Sequence, residues 1–129
     1  MSRTQRPAVR SVQRAELRAS IFVRAGDMVN GRPAYREIVE RARSAGLSGA
    51  TAIHGLQGFG GSAMVRSPGL IRRNGFEPVL IEICDEAASV RAFLPVLDQL
   101  LGSGLVVLKT VTVTRRVADL PDIAATVAR

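Results

Sequence analysis

Cysteine, histidine and long apolar runs are all scarce in this sequence. Cys84 is the single cysteine and His54 the single histidine among 129 residues. One thiol forms no intrachain disulfide. One cysteine with one histidine also falls short of the four ligands that a structural zinc site requires. Cys84 closes the run Val79-Leu80-Ile81-Glu82-Ile83-Cys84 and reads as a small buried hydrophobe, and His54 as a structural residue. No stretch approaches the roughly 18 consecutive apolar residues of a membrane-spanning helix. The polar, arginine-rich start has no apolar core of a secretory signal behind it. The expectation is a soluble, cytoplasmic protein with no membrane insertion. No acid pair, nucleophile triad or metal-ligand cluster stands out, so catalytic and metal residues are expected to be absent and the protein to be no enzyme. Aromatics are limited to Phe22, Phe59, Phe76, Phe93 and Tyr35, with no pair on one strand to stack bases. That makes nucleic acid an unlikely partner for a sheet surface.

What is present is enough for a core. Apolar residues make up 47% of the chain, and the length suits one domain. The net charge is +7. Arg3, Arg6, Arg10 and Arg14 supply four of those charges in a stretch with no acid. Residues 1–14 therefore read as a disordered basic tail, and the high isoelectric point reflects that tail more than the domain.

From Glu16 the pattern becomes periodic. Leu17, Ala19, Ile21 and Val23 alternate with Glu16, Arg18, Ser20 and Phe22, which predicts a strand ending at Gly26-Asp27. Asn30-Gly31-Arg32-Pro33 reads as the opening of a helix, with Asn30 able to cap and Pro33 near the first turn. Ile38, Val39, Ala42 and Ala45 form one helical face, Glu37 pairs in spacing with Arg41, and Gly46 is placed to end the helix. A second strand is predicted over Ala50–Leu56 and a third, central one over Pro78–Cys84, apolar except for Glu82. Asp85 is placed to cap a second helix carrying Val90, Phe93, Leu94, Leu97, Leu100 and Leu101 in phase, with Pro95 inside it. Gly102-Ser103-Gly104 closes that helix. A long fourth strand runs from Leu105 to Thr114, ended by Arg115 and Arg116, and a short helix from Asp122 is possible in 117–129.

This order, β-α-β-β-α-β, is the split β-α-β or ferredoxin-like arrangement: an α+β fold with a four-stranded antiparallel sheet and two helices on one face. Apolar side chains on both strand faces point to an oligomer that covers the remaining face. The domain boundaries expected are 15–116 for the fold and 117–129 for a C-terminal extension. One long loop, 58–76, joins the middle strands. It opens Gly58-Phe59-Gly60-Gly61, three glycines in four residues, where backbone N–H groups can approach an anion. It then carries Arg66, Arg72 and Arg73 with no acid before Glu77, which suits a phosphate or an acidic partner surface.

The segments Ala45-Gly46-Leu47-Ser48-Gly49-Ala50-Thr51 and Gln57-Gly58-Phe59-Gly60, followed by Glu77-Pro78-Val79-Leu80-Ile81-Glu82-Ile83, resemble the PII signalling proteins over roughly residues 15–116. Gly31-Arg32-Pro33-Ala34-Tyr35, Val39-Glu40-Arg41-Ala42, Gly55-Leu56-Gln57 and Ala92-Phe93-Leu94-Pro95-Val96-Leu97-Asp98 are closer to an uncharacterised bacterial PII-like branch, domain-of-unknown-function family one hundred and ninety. The resemblance implies a homotrimer. It implies a small anionic effector, with an adenine nucleotide the leading candidate, held in clefts between subunits. No cofactor is required. Residues 58–76 would be the T-loop that contacts a target protein, of which a membrane transporter is one kind. By the same resemblance Gly58, Phe59, Gly60 and Gly61 would line the phosphate side, Glu82, Ile83 and Cys84 would flank the base, and Arg115 would reach phosphate, while Arg66, Arg72 and Arg73 would face the partner. After Gly60 this chain has Gly61 and Ser62 where the better-known PII proteins have arginine and glutamine. The 58–76 loop holds no tyrosine for modification. The other readings of the chain are a structural trimer with a vestigial cleft, a nucleic-acid-binding ferredoxin-like domain, and a metal-tolerance trimer of the CutA sort, for which the ligands are too few.

Overall fold

The computed structural model of the chain describes residues 8–56, 77–102 and 104–118. They form strands β1 (Val9–Arg24), β2 (Met28–Val29) and β3 (Arg32–Pro33), helix α1 (Ala34–Ser44), strands β4 (Ala50–His54) and β5 (Pro78–Asp85), helix α2 (Ala87–Leu100) and strand β6 (Leu105–Ala118). The main sheet has the order β4-β5-β1-β6, with β5 antiparallel to both neighbours. This is the expected four-stranded antiparallel sheet with two helices. The chain packs as two compact units, Met1–Ala15 with Thr112–Arg129, and Glu16–Val111. Strands β1 and β6 contribute residues to both.

In the larger unit the strand alternation does its expected work. Leu17, Ala19, Ile21 and Val23 of β1 and Val79, Ile81 and Ile83 of β5 point to one face. There Ile38 and Ala42 of α1 and Phe93, Leu97 and Leu100 of α2 meet Ile21, Val23, Val79, Ile81 and Ile83 in one core, and Val90 of α2 meets Leu17 and Ala19 in a second, so both helices lie on one face of the sheet. Ile21, Ile38 and Ile81 are completely buried, each stabilising the fold by about 1.5–3 kcal/mol of transfer free energy.

Local chemistry explains the helix ends. Gly46 has φ +82° and is the left-handed residue after α1. Its N–H donates to the Arg43 carbonyl at 3.0 Å, and the Leu47 N–H donates to the Ala42 carbonyl at 3.1 Å. This is the paired closure that satisfies carbonyls at a helix end, with apolar Leu47 packed on the core. Helix α2 continues through Pro95. The proline lies on the exposed side, where the Arg91 carbonyl left without its donor can reach water.

Several expectations change. Asn30 does not cap α1. With φ 52° at Asn30 and 78° at Gly31, the pair is the two-residue turn of a small hairpin between β2 and β3, the turn that Asn-Gly favours. Pro33 occupies the cap position. Asp85 does not cap α2 either, since Glu86 stands there with no side-chain cap bond. The second strand stops at His54 rather than Leu56. The stretch expected as a disordered tail is ordered from Val9, where β1 begins, and Arg115 and Arg116 lie inside β6 rather than ending it. Paired strands are held by backbone hydrogen bonds, which need no apolar face. The possible helix from Asp122 lies outside the described residues.

Candidate functional site

Alternation sends Leu80, Glu82 and Cys84 of β5 to the sheet face away from the helices, where they are half-buried, while Ile83 goes into the core at 1% exposed. Of the three residues expected to flank a ligand, then, Glu82 and Cys84 share a face and Ile83 offers only its backbone.

The strand register gives that face its order. Ile53, Leu80 and Phe22 stand in one cross-strand row, and Thr51, Glu82 and Ser20 in the next, with Cys84 beside Arg18 beyond them. Ser20 Oγ donates to Glu82 Oε2 at 2.7 Å. Arg18 Nε lies 3.5 Å from the other carboxylate oxygen. The Cys84 thiol donates to Glu16 Oε1 at 3.4 Å, and Glu16 is buried. The result is a polar cluster of two carboxylates, a guanidinium, a hydroxyl and a thiol beside an apolar row. Phe22 and Ile53 in that row remain 42% and 51% exposed. Glu82, with its carboxylate held by Ser20 and partly balanced by Arg18, is an acceptor for neutral N–H or O–H groups rather than for phosphate.

The two ends of the long loop are fixed on the same unit. The Gly55 N–H donates to the Pro78 carbonyl at 2.8 Å and the Ala25 N–H to the Glu77 carbonyl at 2.9 Å. A Cβ at position 55 would stand 2.8 Å from Pro78 Cγ, so glycine alone permits the approach. The Tyr35 ring meets His54 edge to face with centroids 5.6 Å apart. The turn after α1 is fixed by Asp85. Its Oδ2 accepts from the Ser48 N–H at 3.0 Å and its Oδ1 from the Glu86 N–H at 2.7 Å, while Ser48 Oγ donates to the Cys84 carbonyl at 3.0 Å.

Arg115 lies in β6 within the smaller unit. Gly58, Phe59, Gly60, Gly61, Arg66, Arg72 and Arg73, with the rest of 58–76, fall outside the described residues. Arg18, Ser20 and Glu16 were not singled out from sequence. The signal available was that the face of β1 opposite the core carries polar side chains. Among the described residues, no group of three or more His, Cys, Asp or Glu could hold a metal ion, and no helix is long and apolar enough to cross a membrane.

The family described as DUF190, Uncharacterized ACR, COG1993, matches residues 16–113. A UPF0166 protein of Aquifex aeolicus (strain VF5) is 33% identical over 95 residues, covering 72% of this chain and 88% of its own length. A UPF0166 protein of Methanocaldococcus jannaschii is 29% identical over 89 residues, 68% of this chain and 82% of its own. Among solved structures, CPII from Thiomonas intermedia K12 bound to ADP and bicarbonate superposes with a TM-score of 0.56 at 17% identity, over 81% of this chain and 93% of that one. CPII bound to ADP, AMP and bicarbonate, described as a nitrogen regulatory PII-like protein, gives 0.52 at 16% identity, over 81% and 98%. At such identities the likeness is one of fold, and the fold is PII-like.

Proposed function

The chain belongs to the DUF190 family, and on that footing we propose that it is a PII-like regulatory protein, a homotrimer that binds a small anionic effector and signals through the loop 58–76. The observation that carries this reading is the pinned base of that loop. A segment tied at both ends to a rigid sheet, through Gly55–Pro78 and Ala25–Glu77, can report what happens at the sheet to a partner. Adenine nucleotide is the leading effector, because the PII-like CPII of Thiomonas was solved with ADP and bicarbonate on this same fold.

In this reading Gly58, Phe59, Gly60 and Gly61 present backbone N–H groups to phosphate. Glu82 accepts from a hydroxyl or amino group at the uncharged end of the ligand. Cys84 packs beside it, and Ile83 contributes backbone only. Arg66, Arg72 and Arg73 meet the target protein. The exposed row of Ile53, Leu80 and Phe22 is covered by neighbouring subunits.

Isothermal titration calorimetry of the intact protein against ATP, ADP, AMP and cyclic AMP, each with and without bicarbonate, tests the reading. Saturable binding of at least one nucleotide, at one site per chain and weakened by Glu82→Ala, is the expected result. Silence across the whole panel overturns the effector assignment.

A further inference from the structure

The positive charge of the chain is concentrated in its smaller unit. Met1–Ala15 and Thr112–Arg129 hold seven arginines against Asp119 and Asp122, a net of +5 out of the chain's +7. The described part of this unit, 8–15 and 112–118, contains Arg10, Arg14, Arg115 and Arg116 and no acid. Its flanks, 8–15 and 114–118, lie outside the span 16–113 that the family accounts for.

This part is a two-stranded ribbon, since β1 and β6 are neighbours in the sheet. Gln13 Nε2 donates to Thr114 Oγ1 at 3.2 Å, which fixes the faces. Alternation then sets Ser11, Gln13, Thr112, Thr114 and Arg116 on one side and Arg10, Val12, Arg14 and Arg115 on the other. Both sides thus carry arginine. Every other polar side chain on the ribbon is a neutral hydroxyl or amide. Arg10, Arg14 and Arg116 are exposed and Arg115 is half-buried. Arg10, Arg14 and Arg115 also engage neighbours within the chain, but a guanidinium has five N–H donors to distribute.

We propose that this ribbon is a docking surface for double-stranded DNA, its arginines and hydroxyls gripping phosphates along the major groove. The groove of B-form DNA is about 12 Å wide and admits a two-stranded ribbon, and ribbons of this kind do read DNA grooves. Arg10 and Arg14, four positions apart on one strand, are separated by roughly 13 Å of rise, close to that width. The narrow major groove of an RNA duplex would not admit it. An anionic membrane fits less well, because the exposed Val9 and Val12 fall on opposite faces and leave no single apolar side to insert. The ribbon carries no aromatic side chain to stack bases, so it grips phosphates instead, whether or not an effector binds.

Fluorescence anisotropy of the full chain with a labelled duplex of about 20 base pairs, titrated between about 50 and 200 mM salt, tests this. Expected is non-specific binding with Kd of about 10⁻⁶–10⁻⁴ M near physiological salt, and a log–log salt slope approaching roughly −3.6 per chain for four phosphate contacts. The variant R10Q/R14Q/R115Q/R116Q should lose binding at least about tenfold and flatten the slope. The matching R10K/R14K/R115K/R116K variant should retain it within a few-fold, and R66Q/R72Q/R73Q should leave it unchanged. No anisotropy change at the lowest salt overturns the proposal. So does binding that survives the glutamine variant or vanishes with the loop variant, or arginine-dependent binding to phosphatidylserine vesicles in place of DNA.

Discussion

Replacing Asp85 by alanine should destabilise the protein far more than a substitution at a strand end ordinarily does. The carboxylate is buried and accepts from the Ser48 N–H at 3.0 Å and the Glu86 N–H at 2.7 Å. A hydrogen bond to a charged acceptor contributes about 1.5–3 kcal/mol net, and a buried donor left without a partner costs about 1–3 kcal/mol. Ser48 and Glu86 are both exposed, so each N–H recovers part of the loss through water. Taking about 1 kcal/mol for each, Asp85→Ala should cost about 2 kcal/mol. For a domain of this size that is roughly 8 °C in Tm. Asp85→Asn keeps one carbonyl acceptor and should cost about half as much. Urea unfolding of each variant at one fixed protein concentration measures this, with an unchanged m-value showing that the native and denatured states are otherwise alike. An Asp85→Ala variant within about 0.5 kcal/mol of the parent would refute the reasoning, since the Ser48 bond would then contribute nothing to the fold.

Gly55→Ala should cost about 1–3 kcal/mol by overpacking, because its methyl meets Pro78 Cγ at 2.8 Å. Adding Pro78→Ala should return part of that loss in a double-mutant cycle, and strict additivity would show the contact to be irrelevant. Light scattering on the eluting protein should give three times the 13.8 kDa chain mass. The variant F22E/I53E, changed only on the exposed row, should elute as a folded monomer, and an unaltered trimer would place the subunit contact elsewhere.

The fold was legible wherever one side of an element is buried. The alternation of Leu17, Ala19, Ile21 and Val23 and the helical phase of Val90, Phe93 and Leu97 are direct images of the core they face, and Gly46 marks its helix end because few other residues tolerate φ +82°. The ribbon from Val9 escaped because strands exposed on both sides carry no such image. Asn30-Gly31 was a readable hairpin signal, overshadowed by a proline that suits a helix start equally well. Asp85 sits where a capping residue would, but one of its oxygens goes to Ser48, a partner 37 positions away. The site was less legible for the same reason. Glu82 is conspicuous as the acid in an apolar strand, yet its pairing with Ser20 and Arg18 depends on a register between strands 62 and more positions apart, which no local pattern encodes.

The close approach of Gly55 to Pro78 has a consequence for how such a protein can diversify. With closure made by the backbone bond at the loop's base, the chain beyond it can change freely in length and composition. Each doubling of a flexible loop costs only about 0.6 kcal/mol of closure entropy, less than one good hydrogen bond. Such a scaffold tolerates rewriting of the segment beyond that bond, leaving the sheet and both helices untouched. Gly55 is then a point of modularity, separating what must be conserved to fold from what is available to vary.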